Sequence, residues 1–436
     1  MALLEQIINT HSDFLGTLNH RFLDDARIQA LKKFEKLGFP TKKDEEYKYT
    51  NLAEIVKKDY NFFAKKEHNI SKEQIDELHL GEENFDYIVF INGELRKELS
   101  KISIGNIEML SFNYALNDEN HKAVFEKYFN TISSEENPFV DLNNAYCKFG
   151  FFLHVPKNTV IEKPIHVFYL SQNQEENTFY NTRNLLIVED NSKVEIIESH
   201  HNFDDTFTFT NSVTEIIVYP NAKADWHKLQ NDSDTSYLVD NTYAKQEKDS
   251  LATVNTFSFG GKLVRNNLDF IHNGSNINSF MNGITVINDE QLVDHHTAVH
   301  HRFPHCESYQ NYKGIFNGKS HGVFNGKVFV EKEAQKTNAY QQNNNVLLSE
   351  GASIDSKPQL EIFADDVKCS HGCTVGQLDS EALFYLRARG ISEKEAKALL
   401  LYAFAHDAME NIDIEPLKQK VSKLLAEKLG VDLIVE

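Results

Sequence analysis

Cysteine is scarce. Four residues, Cys147, Cys306, Cys369 and Cys373, are spread over 436 positions. So sparse a set builds no disulfide framework, and it suits a reducing cytoplasm in which thiols stay free or react transiently. Long apolar runs are missing too: the longest, ALLLYAFA at 398–405, falls far short of the roughly 20 residues that span a bilayer. The opening stretch MALLEQIINTHSDFLGTLNH has no basic segment leading into an unbroken apolar core, so no secretory signal is expected. Positive charge is in deficit, with 45 Lys and Arg against 65 Asp and Glu and a formal charge of −20. Such a polyanion has no general attraction for nucleic acid or an anionic membrane, and neither is expected as a partner. A phosphate loop is absent as well. GKSHGVFNGK (318–327) lacks the GxxxxGK[ST] spacing, so the chain is not expected to hydrolyse ATP itself.

What is present is a chain of ordinary globular composition, long enough for two or three domains. Residues 1–37 show helical spacing (Leu3, Ile7, Ile28, Leu31, Phe34), which Gly38 and Pro40 stop. Short apolar strands follow within 85–110. From about residue 140, strand-like runs succeed one another, each cut by a polar turn: PIHVFYL, RNLLIVED, KVEIIES, VTEIIVYP, ATVNTFSF, GKVFVEK, NVLLSEG, QLEIFAD. Asn158, Asn191 and Asn221 mark turns 33 and 30 residues apart. Many short strands fit a sandwich or barrel, but a quasi-periodic series without helices favours a β-solenoid of stacked coils. After Gly376, three helices are expected: DSEALFYLRARG, SEKEAKALLLYAFAHDAMENI and EPLKQKVSKLLAEKLG, the second opened by a Ser392/Glu395 capping box. On that helix Ala396, Leu399, Leu400, Ala403 and Phe404 form one stripe, which either packs on the end of the solenoid or docks another protein.

The chemistry-bearing stretch is DDVKCSHGCTVGQLD (365–379). Alternate residues of a strand share a face at about 6.5–7 Å, so Cys369, His371 and Cys373 line one side. Three ligands in a straight row do not close a zinc site by themselves. No CxxC redox pair is present, and no base or oxyanion hole accompanies a nucleophile. Two readings remain: a buried strand end with inert thiols, or an open ligand set that a second surface completes. A second cluster, DHHTAVHHRFPHC (294–306), carries five histidines and Cys306. His296 and His300 lie about 13 Å apart along a strand and do not chelate one ion unless the strand bulges. Past Pro304, His305 and Cys306 are able to fold back. These histidines either stack on neighbouring coils and bond turn backbones, or hold a metal. QQNNN (341–345) suits amide ladders between coils, or a turn.

The segment QKTNAYQQNNNVLLSEGASIDSKPQLEIFADDVKCSHGCTVGQLDSEALFYLRARGIS (335–392) closely resembles the SufB/SufD family of iron–sulfur cluster assembly proteins. VDHHTAVHH, PHCESYQNYKGIF and GVFNGKVFV within 293–330, and DEEYKYTNL at 44–52, extend the resemblance. The SHG form at 370–372, the modest length and the lack of amino-terminal cysteine motifs look like the SufD side of the family. Cys373 departs from the small residue, usually alanine, expected there, and is read as a conservative exchange rather than an extra ligand. The resemblance implies a right-handed parallel β-helix with helical termini. Together with the sequence texture it divides the chain into 1–110 (helical or mixed), 111–376 (β-helix) and 377–436 (helical). It further implies a non-catalytic scaffold that pairs with a SufB-like subunit through the β-helix, or with itself when alone. At that interface Cys369 and His371 would share a transient iron–sulfur cluster, and no tightly bound cofactor is expected in the isolated chain. The helices around 379–411, with Leu383, Tyr385, Leu386, Leu399, Leu400, Ala403 and Phe404, match the region that docks the SufC-like ATPase. A SufB-type primary cluster scaffold, or a metal-dependent enzyme built on a solenoid, are the alternatives.

Overall fold

From Phe151 to Gly376 each strand pairs in parallel with the strand two places further along the chain, not with its sequence neighbour. Consecutive strands therefore alternate between two sheets, and the chain winds as a stack of coils, which sets aside the sandwich and the barrel. The computed structural model describes residues 3–18, 23–63, 68–80, 85–102, 108–132, 136–172, 176–204, 206–409 and 412–430. The first sheet stacks Asp86–Ile91, Ile165–Ser171, Lys193–Asn202, Lys223–Gln230, Leu251–Ser258, Asn278–Ile287, Glu307–Phe316, Asn338–Leu347 and Lys368–Gly376, with Glu94–Leu95 antiparallel on its first member. The second stacks Phe151–Val155, Thr178–Val188, Thr208–Val218, Ser236–Gln246, Leu263–His272, Leu292–His301, His321–Val330 and Ser353–Ile362, preceded by the antiparallel Glu108–Ser111. Asp86–Ile91, inside the stretch 1–110, is thus a solenoid strand. Conversely, the helices Phe112–Asn117, Glu119–Tyr128 and Pro138–Tyr146 fall inside 111–376.

The coil period has a local cause. Asn158, Asn191, Asn221, Asp249, Asn276, His305 and Lys336 occupy one turn position with φ between 59° and 64°. This is the left-handed conformation that Asn and Asp tolerate best among residues with a side chain. Stacking these turns lets their side chains bond along the column: Asn191 Nδ2 donates to Asn158 Oδ1 (2.9 Å), Asn221 Nδ2 to Asn191 Oδ1 (2.7 Å) and Asn276 Nδ2 to Asp249 Oδ1 (2.9 Å).

The early coils have a largely apolar interior that also holds the buried Glu198, His200, Lys228 and Asp240. Phe151 stacks on Trp226 at 5.7 Å, and the indole Nε1 donates to the buried Glu198 at 3.0 Å. The helices Leu3–Gly16, Asp24–Leu37 and Pro138–Tyr146 cover the outer face of the second sheet, where Leu3, Ile7, Phe34 and Phe139 join Phe179 and Phe209 in one core. A buried ion pair, Arg183–Glu215, ties that sheet to the loop before the last of these helices, since Glu215 also accepts from the amides of Asn130 (2.9 Å) and Thr131 (3.1 Å). Three carboxy-terminal helices, Ser380–Ala388, Glu393–His406 and Glu415–Leu429, follow the solenoid, and the last two pack on the outer face of the first sheet against Leu229, Phe257, Ile284 and Ile315. The capping box at Ser392 and Glu395 is formed. No helix among the described residues is long and apolar enough to cross a membrane.

Candidate functional site

Each sheet ends in a strand paired on one side only. Lys368–Gly376 bonds to Asn338–Leu347, and Ser353–Ile362 bonds to His321–Val330. Among the described residues no further coil follows them, so both present unpaired backbone groups along one edge, the arrangement that invites another chain. The rim of this edge is apolar as well, with Phe363 66% and Val375 51% exposed beside Tyr340, Leu348 and Ile362.

Register shows which face of the last strand carries the sulfur and imidazole. Cys369 lies opposite Ala339, His371 opposite Gln341, and Cys373 opposite Asn343. Paired residues of a parallel sheet point to the same side, and Ala339, Gln341 and Asn343 are buried inside the solenoid. Cys369, His371 and Cys373 therefore stand on the inner face of the last coil, left uncovered because the stack stops there. Cys369 is half-buried among Val330, Ala334, Ala339, Leu360 and Val367. Burial pushes its thiol up from the ordinary cysteine range, so it rests as a neutral thiol rather than an activated nucleophile. His371 and Cys373 are exposed, the latter with Sγ 4.0 Å from Asn343 Oδ1.

Beneath the row runs an interior amide ladder that gives the QQNNN segment its role. Gln341 Nε2 donates to Gln310 Oε1 (2.9 Å), which also accepts from Thr297 Oγ1 (2.7 Å). Asn343 Oδ1 takes bonds from Asn345 Nδ2 (2.7 Å) and Ser356 Oγ (2.9 Å). The interior of the last coils is thus lined by amides, whereas the early coils hold a mostly apolar core with a buried charged cluster.

The histidine cluster 294–306 is divided among several tasks. His295 points inward, bonding Thr285 Oγ1 at 2.9 Å, and burial drives its pKa down to about 4. His300 stacks on Phe329 at 4.8 Å and reaches Asp269. Asp294 and His296 face outward and grip the amino-terminal segment 45–50. Glu46 accepts from His296 Nδ1 (3.1 Å) and Lys327 Nζ (2.7 Å), and Thr50 Oγ1 bonds Asp294. Arg265 donates to Asp294 and to the Glu46 carbonyl (both 2.7 Å) while its guanidinium lies 3.9 Å over the Tyr47 ring. The DEEYKYTNL and DHH motifs are two halves of one clamp, a relation that spacing alone did not reveal.

The carboxy-terminal stripe is placed differently from the packing alternative. Of Ala396, Leu399, Leu400, Ala403 and Phe404 only Ala396 is buried; the packed face is Ala396, Ala398, Leu401 and Ala405. Leu399 and Ala403 are exposed, and Leu400 and Phe404 half-buried, with Lys313 pairing with Asp407 beneath the Phe404 ring. Helix Ser380–Ala388 buries no residue: Phe384 is 74% and Tyr385 55% exposed, while Leu383 and Leu386 are half-buried. A cleft of about 830 Å³ separates these helices from the last coils, lined by Leu347, Val375, Leu383, Lys397 and Ala398 among others.

Comparison with known proteins agrees with this architecture. The family described as "SUF system FeS cluster assembly, SufBD core domain" matches residues 169–404, and the SufBD protein N-terminal region matches 3–167. The chain is 31% identical over 404 residues to the iron–sulfur cluster assembly protein SufD of Escherichia coli, covering 92% of both chains. It is 30% identical over 398 residues to an iron–sulfur cluster assembly SufBD family protein of Synechocystis, covering 89% of this chain and 87% of the relative. It is 26% identical over 430 residues to Bacillus subtilis SufD, covering 94% of both. The stacked parallel coils, the helical termini and these matches over nearly the whole length agree: the chain belongs to the SufB/SufD family of iron–sulfur cluster assembly proteins.

Proposed function

We propose that this chain is a SufD-like scaffold subunit, not itself a catalyst, whose open coil end is completed by a SufB-like subunit. The nascent iron–sulfur cluster is the cargo of the shared site. His371 offers a neutral nitrogen donor and Cys369 a sulfur donor that loses its proton as it takes up iron. The carrying observation is the register that leaves both on the inner face of a coil with nothing stacked over it. Neither residue closes a ligand set alone, and the edge strands beside them have backbone groups to offer a partner strand. The same edge suits a second copy of this chain when no SufB-like partner is at hand. The exposed faces of Ser380–Ala388 and Glu393–His406, carrying Leu383, Tyr385, Leu386, Leu399, Leu400, Ala403 and Phe404, are the docking surface for the SufC-like ATPase. A nucleotide-driven movement there pulls directly on the strand that bears Cys369, because only three residues separate Gly376 from Ser380.

The test is co-expression with SufB-like and SufC-like subunits. His371→Ala is expected to leave folding and complex recovery intact while the iron and acid-labile sulfide in the purified complex fall at least tenfold. Cluster content at the wild-type level without that imidazole sinks the reading. In a second arm, Tyr385→Asp with Leu399→Asp is expected to lose the ATPase from the complex and keep the SufB-like subunit; undiminished ATPase recovery refutes the docking assignment.

A further inference from the structure

The histidine-rich stretch carries a second constellation that the open end does not use. His272 and His301 are direct partners on adjacent strands, and Cys306 follows the second of them across a tight turn. All three are 0% exposed, and one ligand atom from each lies within 4.8 Å of the others. The two rings stand edge to face with centroids 4.5 Å apart.

The tautomer of His272 follows from its neighbours. Gln246 Nε2 donates to the Asn278 carbonyl (3.1 Å), which turns Gln246 Oε1 toward Ser279 Oγ, and the hydroxyl gives its one proton to that oxygen (2.6 Å). Ser279 Oγ must then accept from His272 Nε2–H, also at 2.6 Å. His272 Nδ1 is left with a bare lone pair. His301 Nε2 likewise lies 2.9 Å from Ser308 Oγ, and Nδ1 of each ring is buried without a partner. A buried polar atom with no partner is costly and asks for a reason. Burial also holds both imidazoles uncharged, His272 well below its usual value and His301 down to about 3. The Cys306 thiol, raised by burial, donates to the Gly274 carbonyl at 3.3 Å.

We propose that His272 Nδ1, His301 Nδ1 and Cys306 Sγ form a closed site for one divalent transition-metal ion of the zinc type, separate from the open-end pair Cys369 and His371. Two imidazole nitrogens and one thiolate are a borderline-soft donor set, and serines on the far ring nitrogens supply the second-layer bonds that orient metal-bound histidines. The Gly274 carbonyl oxygen, beside the sulfur, stands as a fourth donor. Drawing the ligand atoms to mutual distances of about 3.3–3.8 Å, as tetrahedral bonds of roughly 2.0–2.3 Å require, asks only for a small closure of the turns. On binding, the Cys306 S–H bond breaks, sulfur bonds the ion and the proton leaves to solvent. The site lies in the same interior corner as the open end. Ser308 is followed in its column by Ala339 and then Cys369, two strand spacings or roughly 10 Å away. Because every ligand is covered, the ion enters as the coils close during folding.

The full chain, refolded with Co2+ as probe, is expected to bind one equivalent and to show a near-ultraviolet thiolate-to-cobalt band that Zn2+ displaces. The band is expected to persist in Cys369→Ser/Cys373→Ser and to vanish in Cys306→Ser. X-ray absorption on zinc-loaded wild type, which requires no substitution, is expected to show one sulfur among nitrogen and oxygen ligands. Absence of a stoichiometric band in wild type, its survival in Cys306→Ser, its loss in the Cys369/Cys373 variant, or a zinc shell without sulfur overturns the proposal.

Discussion

The first coils and the last coils of the solenoid share a turn geometry, yet they are built to opposite ends. Around Trp226 both sheet faces are covered: apolar side chains and the buried pairs Glu198–His200 and Lys228–Asp240 fill the interior and helices shield the outside, so Thr178–Val188 is buried at every position. At Lys368–Gly376 one of nine positions is even half-buried, and beneath His371 and Cys373 lie the amides Gln341 and Asn343. A sequence that repeats its backbone does not have to repeat its chemistry. The early coils cover their side chains, and the last strand leaves its own exposed.

That contrast is open to a direct stability test. Trp226→Ala removes one of the largest fully buried side chains and is expected to cost about 3–5 kcal/mol, whereas Val375→Ser on the last strand is expected to stay within about 0.5 kcal/mol. Urea unfolding of the isolated chain measures both, and comparable losses at the two ends would erase the distinction. A smaller effect concerns the turns. Asn191, at φ 59°, bonds both neighbours in its column, so Asn191→Ala is expected to cost about 1–2 kcal/mol from the left-handed backbone alone. Lys336 holds the same conformation in the late coils at φ 64°, its ammonium paired instead with Asp366. Lys336→Gly is therefore expected to be neutral or stabilising, read as an unchanged or raised melting temperature.

A pH-dependent effect belongs to the clamp. Bonding from His296, opposed by partial burial and reinforced by Lys327, lowers the Glu46 pKa from 4.5 to about 2. A depressed carboxylate contributes stability that is complete above its ordinary pKa and is lost as pH falls toward the folded value. Glu46→Gln is expected to lower the melting temperature by one or a few degrees at pH 7, about the scale of an exposed ion pair. The gap to wild type is expected to narrow as the pH drops from 4.5 toward 2. A difference that widens on acidification contradicts the assigned partners.

How much of this was legible beforehand depends on which residues carried the signal. Asn158, Asn191 and Asn221 announced the coils because Asn is the natural occupant of the left-handed turn; His305 and Lys336 do the same work in disguise, which hid the later period. Alternation placed Cys369, His371 and Cys373 on one face, but only the pairing with Ala339, Gln341 and Asn343 says that this face is the inner one. On the helix Glu393–His406 the choice between packing and docking stayed open because the packed side consists largely of alanines, which hydrophobicity undervalues, while Leu399 faces out. The His272, His301 and Cys306 grouping was invisible, since a ligand 29 residues away in sequence is adjacent only once the register is known.

The clamp at Glu45 and Glu46 has one more outcome. Its partners Arg265, His296, Lys327 and Lys357 sit on four successive strands of the second sheet, reaching the final one. Linear repeat proteins ordinarily fray from their free ends, rung by rung. Here a short strap stitched across those rungs holds the open end in place, with its anchorage in the distant amino-terminal helices rather than in the rungs themselves.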